Sequence, residues 1–328
     1  RLTPDLGLDL GVVCVPLLLF AHLFATPCWR LCHRLSCCPD FRVHYTRLWR
    51  IVKHSIAQAI GCFDLSAVQA IGLDETASKR GHNYVTVFID MARSKEPVLF
   101  AVPGKGKATL EPFSTFLKDH GGDAQHIVEV VCDMSPAFLS GVAKELPNAS
   151  VTVDGFHIVQ TFTRSVDEVG KLEGREKPLP NHLRWAVLKR GTPGNLTDNQ
   201  TIAIAEMLKQ GLDTATAWRI KEKLAWIRKA KGPRAAQWRI THFINYARAL
   251  VGETPRLEPV RKAIRTLENH RQRVVQRWTS TYTNARLKGM NSLFQAARAR
   301  ARGYRNDETF IGMIYLIGSP VSSMIKST

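Results

Sequence analysis

The sequence predicts an α/β protein with a mixed sheet, followed by a helical block and a basic C-terminal helix. Three observations support this. Short apolar runs follow one another closely between residues 69 and 102, as in a meander of strands. Two further runs, at residues 126–132 and 150–153, are separated by helical patterns, as in βαβ units. After residue 156 the strand pattern stops, and helical spacing dominates.

The first 44 residues are predicted to be an atypical apolar, cysteine-rich segment. Residues 10–29 carry no charge and are about long enough to span a bilayer, but Pro16, His22 and Pro27 weaken that interpretation. A buried or aberrant segment is therefore preferred over a membrane anchor. Four cysteines and one histidine are crowded into residues 28–38 without a second, well-separated pair, so an incidental cluster is preferred over a zinc site.

Residues 45–59 are predicted to form a basic amphipathic helix within a linker that covers residues 45–68. Leu48, Ile51 and Ile56 recur at helical spacing, with basic residues on the other faces. Two interpretations remain open for this helix: part of a DNA-reading unit, or a helix that leads into the core.

Residues 69–160 are predicted to form the first part of the α/β core. The strands are expected at residues 69–73, 83–91, 97–102, 126–132 and 150–153. Helices are expected at residues 109–120, which Gly121 and Gly122 end, and from Pro136 to Leu146.

Residues 161–272 are predicted to be a helical insertion. Trp218, Trp226 and Trp238, together with Leu224 and Ile227, are interpreted as core residues of this block because burial is the usual fate of tryptophan. The alternative is that tryptophans among arginines stack on nucleic-acid bases.

Residues 273–328 are predicted to contain a basic core helix and a tail. No Asp or Glu occurs between residues 269 and 306. The stretch carries nine basic residues, which are Arg271, Arg273, Arg277, Arg286, Lys288, Arg298, Arg300, Arg302 and Arg305. An apolar stripe is expected at Leu287, Met290, Leu293, Phe294 and Ala297, with Arg298, Arg300 and Arg302 around the end of the same helix. Phosphate contact is preferred here over a membrane-surface helix.

The overall charge indicates a polyanionic partner. The chain of 328 residues has 46 Lys and Arg against 28 Asp and Glu, a formal net charge of +18. Solubility alone needs far less charge, so nucleic acid is the first candidate and an anionic membrane surface the second. Only two of the seven cysteines lie beyond residue 40, so no disulfide framework supports the body of the protein, and a cytoplasmic location is expected.

Aspartates follow three of the predicted strands. Asp74, Asp133 and Asp154 are each expected at the carboxyl end of a strand, where ligands of open α/β sheets gather. Paired carboxylates there suit Mg²⁺, and two such ions support phosphoryl transfer. The alternative is that each aspartate caps the turn or helix that follows it. His157 is either a nearby acid, base or ligand, or a structural residue.

Four segments resemble the insertion-sequence transposases of the ISL-three family, within the DDE superfamily. They are IGLDETASKRGHNYVTVFID, VCDMSPAF, VDGFHIVQ and TNARLKGMNSLFQAARARARGYRN. The resemblance covers about residues 47–320. It implies a ribonuclease-H-like core with a helical insertion, and metal-dependent phosphodiester cleavage and strand transfer of an insertion sequence. It further implies two Mg²⁺ or Mn²⁺ ions, double-stranded DNA as partner, homo-oligomers on DNA, and a place in the bacterial cytoplasm at the nucleoid.

The resemblance also assigns site residues, with one departure. Asp74 and Asp133 match the first two metal-binding aspartates. The third acid of the family falls at Lys288, so a negative ligand is replaced by a positive charge. This leaves two hypotheses open: a transposase, inactivated if no other acid completes its site, or a non-catalytic DNA-binding remnant of one. Asp154 and His157 are expected near the metals, and the expected phosphate contacts are Lys79, Arg80, Arg298, Arg300, Arg302 and Arg305.

The N-terminal segment departs from the family as well. Members usually begin with a zinc-binding module and a helix-turn-helix, and residues 1–44 match neither. This predicts a shifted reading frame or a truncated gene, which the upstream nucleotide sequence would test.

Overall fold

The computed structural model describes residues 45–327, apart from 80, 82, 177, 178, 180 and 193. The apolar run and the cysteine cluster of residues 1–44 lie outside the described residues, as does Arg80. The chain divides into two compact units. Among the described residues, the first combines those up to Ala149 with those from Asn284 onward, and the second is Ser150–Thr283. The first unit is thus built from two separate stretches of sequence.

Five strands form one mixed sheet, as predicted. They are β1 (Ala70–Ala77), β2 (Tyr84–Asp90), β3 (Val98–Pro103), β4 (Glu129–Cys132) and β5 (Ser150–Val153). Their order in the sheet is β3-β2-β1-β4-β5. Strands β1, β2 and β3 are antiparallel neighbours, whereas β1 and β4 pair in parallel. The predicted meander followed by a parallel strand is therefore confirmed.

Helices account for most of the remaining described residues. They are α1 (Tyr45–Gly61), α2 (Leu110–Asp119), α3 (Pro136–Glu145), α4 (Gly155–Glu176), α5 (Asn181–Leu188), α6 (Asp198–Lys209), α7 (Asp213–Arg228), α8 (Pro233–Val251), α9 (Glu258–Asn269), α10 (Arg271–Val275), α11 (Ala285–Arg300), α12 (Asp307–Gly318) and α13 (Val321–Ser327). Short 3-10 helices cover Gly106–Thr109, Ala124–His126, Pro255–Leu257 and Gln276–Trp278. Beyond Val153 the described residues contain no strand, as predicted.

Strand β1 continues past Asp74, where the sequence predicted its end. Asp74 pairs with Val87 of β2, and the antiparallel register runs on to Ala77. Asp and Glu are poor strand formers, which is why the apolar pattern stops early. The regular ladder with β2 overrides that local preference, because every second residue added to β1 exchanges a pair of backbone hydrogen bonds with its partner strand. Asp74 therefore lies inside a strand rather than after one.

The core of the first unit is aromatic and aliphatic. Phe88 of β2 stacks on Phe113 of α2, with ring centroids 4.2 Å apart and ring planes 2° apart. Trp49, Val52 and Ile56 place the apolar face of α1 in this unit, where each is at most 5% exposed. The predicted amphipathic helix is thus packed against the unit, which agrees with the interpretation that it leads into the core.

The second unit is a helical bundle with a buried acidic cap. The Glu173 carboxylate, 3% exposed, accepts hydrogen bonds from the backbone N–H groups of Asp213 (2.9 Å) and Thr214 (3.0 Å) at the start of α7. It also accepts a hydrogen bond from the Thr214 hydroxyl group at 2.6 Å. These bonds satisfy donors that a helix N-terminus otherwise leaves unpaired.

One predicted core residue of this unit is exposed. Leu224 and Ile227 are each 5% exposed and confirm their assignment to the core, but Trp238 is 56% exposed. Trp238 lies on the solvent side of α8, opposite the residues such as Ile240 and Phe243 that are buried. Residue type alone predicted burial, whereas the helical phase relative to the true core decides it. Within the residues that the structure describes, no helix is long and apolar enough to cross a membrane.

Candidate functional site

The half-buried carboxylate of Asp74 joins β1 to α11 in the first unit. Its Oδ1 atom accepts the backbone N–H of Glu75 at 2.8 Å. Its Oδ2 atom accepts a hydrogen bond from Nδ2 of Asn291, on α11, at 2.9 Å. The same Asn291 amide lies 3.4 Å from the backbone oxygen of Glu75. A residue 217 positions away in the sequence therefore holds the orientation of this carboxylate.

Helix α11 runs along β1 in a regular register. Side chains two residues apart in a strand share a face, and side chains four apart in a helix lie on one face. The matched pairs are Gly72 with Leu287, Asp74 with Asn291, and Thr76 with Gln295. A Cβ atom at Gly72 would lie 2.9 Å from Cδ1 of Leu287, so the glycine allows the close approach. The Gln295 amide donates to the Thr76 hydroxyl oxygen at 2.6 Å.

Lys288 lies on the same helical face, one turn before Asn291. It is half-buried, next to Leu287, which is 2% exposed. Residues three apart on a helix are neighbours, with Cβ atoms about 5–6 Å from one another. Position 288 is therefore a neighbour on α11 of Asn291, the residue that donates to Asp74.

Asp133 follows β4, as the sequence predicted. Its Oδ1 atom accepts the backbone N–H of Ser135 at 2.8 Å, a local turn that leads into α3. In the parallel pairing of β1 with β4, Gly72 lies opposite Val131. Each aspartate comes two residues after a member of this pair. The charges of both act on Glu75, so the two carboxylates lie in the same region of the first unit.

The carboxylates of this region influence one another. Burial raises the pKa of Glu75 above its usual value, and the negative charge of Asp133 raises it further. The positive charge of Lys105 opposes this effect, and Asp74 adds a smaller contribution in the same direction as Asp133. The region around β1 and β4 is thus a place where negative charge accumulates.

The residues present do not fit the two-ion site that the family resemblance implies. Such a site needs several oxygen ligands, and a third carboxylate would complete the pair Asp74 and Asp133. The resemblance predicts this third acid at position 288, where the chain has a lysine. Within the described part of the chain, no group of three or more His, Cys, Asp and Glu side chains is arranged to hold a metal ion.

Asp154 and His157 belong to the second unit. The Oδ1 atom of Asp154 accepts the backbone N–H of Phe156 at 3.0 Å, and its backbone oxygen accepts the N–H of His157 at 3.1 Å. This is the geometry of a turn that starts α4. Their predicted place near the metals remains a prediction.

The arginines predicted to contact phosphate lie at and beyond the end of α11. Arg300, Arg302 and Arg305 are exposed, and Arg298 is half-buried. Arg302 lies two residues beyond the last residue of the helix, Arg300, and has a positive φ of 54°. Such a left-handed residue ends a helix because its backbone can no longer bond to the preceding turn in the helical pattern.

The predicted apolar stripe of α11 also needs one correction. Leu287 and Phe294 are buried, but Leu293 is 53% exposed. At about 100° per residue, Leu293 is rotated by about 240° from Leu287, which turns it away from the packed face. Lys79, the described member of the predicted pair with Arg80, is exposed, and its Nζ atom lies 3.7 Å from Oδ1 of Asp307.

Sequence reasoning missed Asn291 and Gln295. Both are polar residues on a helix that was predicted, at three and seven positions after Lys288. That spacing puts them on the same face as position 288, so the helical phase could have identified them.

Comparisons with known proteins agree with these motifs. The model of a transposase family, the ISL3 group of the DDE type, matches residues 71–314. A transposase for insertion sequence element IS1001 from Bordetella parapertussis is 25% identical over 256 residues, which are 75% of this chain and 60% of that protein. A transposase for insertion sequence element IS1557 from Mycobacterium tuberculosis is 27% identical over 236 residues, 63% of this chain and 52% of that protein. The matched segment thus spans about half to three-fifths of the length of these curated relatives.

Proposed function

Because this chain belongs to the ISL3 family of DDE transposases, we propose that it binds insertion-sequence DNA but does not cleave it, since Lys288 occupies the position of the third acid. The family match covers the segments that contain Asp74, Asp133 and Lys288. The proposal concerns the retained activity of this chain, not its family.

One observation carries the proposal. Asn291 donates to the Asp74 carboxylate at 2.9 Å, and Lys288 precedes it by one helical turn on the same face. A glutamate at position 288 would therefore reach the region of Asp74 and Asp133. The lysine brings a positive charge into that region.

The size of the electrostatic change supports a loss of metal binding. A unit charge pair at about 4 Å is worth about 4 kcal/mol at an effective dielectric constant near 20. Replacing Glu by Lys changes the local charge by two units. A glutamate at position 288 would attract a metal ion by an energy of that order. A lysine there repels the ion by a similar energy, unless its flexible side chain holds the ammonium group away from the ion.

The sheet supports a ribonuclease-H-like core for this chain. Three antiparallel strands followed by a strand parallel to the first, in the order β3-β2-β1-β4-β5, are the arrangement that this fold implies. The compact unit Ser150–Thr283 is consistent with the proposed insertion at 161–272.

The charge of the chain supports DNA as its partner. The net charge is +18, and exposed arginines follow α11. Both features suit phosphate contacts on double-stranded DNA in the bacterial cytoplasm, at the nucleoid. Assembly into oligomers on DNA belongs to the same proposal.

The experiment compares DNA binding with DNA nicking. The full chain and its K288A and K288E variants are mixed with duplex DNA for binding, and with supercoiled plasmid and Mn²⁺ for nicking. We expect all three to bind DNA and only K288E to nick it. K288A removes the positive charge without adding a ligand, and D74N in the K288E background should abolish the gained nicking. Failure of the unaltered chain to bind duplex DNA would refute the proposal.

The second candidate is an active transposase in which another acid completes the site. Glu75 favours it, because this half-buried carboxylate lies close enough to Asp133 for that negative charge to raise its pKa. Under this alternative the unaltered chain nicks plasmid in Mn²⁺, and D74N removes that activity without any change at position 288.

A further inference from the structure

A second basic surface lies within the second unit, on α7 and α8. From residue 223 to residue 252 the sequence contains seven Lys and Arg and no Asp or Glu. The stretch also carries four large aromatic residues, of which Phe243 is buried and Trp226, Trp238 and Tyr246 are not. An acid-free basic stretch of this kind, with aromatic residues interleaved, is typical of nucleic-acid contact surfaces.

The structure brings six of these side chains together, and we name them the Trp238 surface. They are Lys223, Trp226, Trp238, Arg239, His242 and Tyr246. Lys223 lies over the rings of Trp226 and Tyr246, with its Nζ atom 5.2 Å and 5.7 Å from their centroids. The Arg239 guanidinium lies 5.1 Å from the Trp226 centroid and donates to the Trp226 backbone oxygen at 2.7 Å.

Trp238 lies at the exposed side of this surface and contacts two other rings. Its ring meets Trp226 at 61° with centroids 5.7 Å apart, and His242 at 83° with centroids 4.1 Å apart. Despite these two neighbours, 56% of Trp238 is exposed to solvent. A large ring that is held in place yet exposed can stack on a ligand with little loss of conformational entropy.

The positive charges of this surface are available to a ligand. In the part of the chain that the structure describes, neither Lys223 nor Arg239 forms an ion pair with a carboxylate. The acid next to Lys223 in sequence, Glu222, is paired instead with the buried Lys221 at 3.0 Å. The surface therefore complements a negatively charged partner that also presents a flat apolar face.

We propose that the Trp238 surface binds an unpaired base of single-stranded DNA, with Trp238 stacking on the base while Lys223 and Arg239 face the flanking phosphates. In a duplex the faces of the bases are covered by stacking, so Trp238 can stack only on a base that is unpaired and unstacked. Cationic side chains are sufficient to bind the phosphates of a duplex, so an exposed tryptophan adds no affinity for a duplex. The inference rests on the proposed DNA-binding function and adds the form of DNA that this surface accepts.

The test measures affinities of the full chain for three fluorescent DNA probes of one sequence. They are a blunt duplex, the same duplex with a short single-stranded tail, and the single strand alone. We expect W238A to weaken binding of the tailed duplex and the single strand by about tenfold or more, with the blunt duplex unaffected. W238F keeps an aromatic ring and should retain most of the affinity.

A matched control lies in the same unit. Trp185 is 61% exposed and has the Arg184 guanidinium 5.6 Å from its ring centroid. The charge of Arg184 is neutralised by Asp167, which accepts its Nε–H at 2.7 Å. W185A should therefore bind all three probes like the unaltered chain.

Several outcomes would overturn the inference. One is unchanged binding of the single strand by W238A, and another is an equal loss on all three probes. A third is a changed sedimentation coefficient of the free W238A chain with unchanged DNA affinity, which would make the surface a protein interface. The blunt duplex distinguishes this inference from the proposed function. If the unaltered chain fails to bind the blunt duplex, the proposed DNA-binding function itself is refuted.

Discussion

The contact between Asn291 and Asp74 predicts how strongly α11 is tied to β1. N291A removes the donor that lies 2.9 Å from the Asp74 Oδ2 atom. N291D keeps the shape of the side chain but places a carboxylate against a carboxylate. Both changes act on one contact and leave the apolar packing of α11 in place.

The magnitudes follow from the charge and the half-buried position of this pair. A hydrogen bond to a charged group contributes about 1.5–3 kcal/mol, and the partial exposure of Asn291 reduces this to about 1–2 kcal/mol for N291A. Alanine regains about 0.5 kcal/mol through its higher helix propensity. N291D adds a like-charge repulsion of about 2–3 kcal/mol, so it should be the more destabilising variant.

The assay is urea denaturation of the full chain, with the free energy of unfolding extrapolated to water. S292A is the control, because it changes an exposed residue of the same helix and gains the same kind of helix propensity. The reasoning fails if N291A and S292A have equal stability, or if N291D is as stable as the unaltered chain.

Three further substitutions test interactions within each of the two units. G72A should destabilise the first unit by about 1 kcal/mol in urea denaturation, because its Cβ would lie 2.7 Å from Met91 Sδ and 2.9 Å from Leu287 Cδ1, and these side-chain ends would have to shift; an unchanged midpoint would contradict the close packing. E173A should cost about 3–5 kcal/mol because it leaves buried donors unpaired, whereas E173Q should lose less; equal losses would refute the role of the carboxylate as a cap. The Arg184 side chain, and then Lys171, lower the pKa of Asp167 below its usual value, so this carboxylate stabilises the fold at neutral pH and loses that contribution as the pH falls through its folded-state pKa. D167N should therefore lower the melting temperature slightly at pH 7 and leave it unchanged in strong acid, and a loss that persists in acid would contradict the assignment.

The strands of the central sheet could be predicted closely because their residues are buried and β-branched. The prediction for β2 differs from the structure by one residue at each end, and β5 agrees at both ends. Residues of β2 such as Val85, Val87 and Ile89 are almost fully buried. In such segments the local sequence pattern and the tertiary environment favour the same structure, so the hydrophobic periodicity is sufficient to predict the strand.

Features that depend on distant partners could not be predicted in this way. The extension of β1 beyond Asp74 depends on β2, and the contact of Asp74 with Asn291 joins residues 217 positions apart. The exposure of Trp238 depends on which side of α8 faces the bundle. Each of these is decided by packing between elements, which no single window of the sequence contains.

The central claim, that Lys288 occupies the metal-ligand position beside Asp74 and Asp133, is tested most directly by calorimetry of Mn²⁺ binding. The unaltered full chain is compared with K288E and with K288E that also carries D74N. The account predicts tight binding by K288E alone, because the glutamate restores the third ligand and the second change removes the first. Equal binding by the unaltered chain and K288E would contradict the account, since the third ligand would then come from elsewhere in the chain.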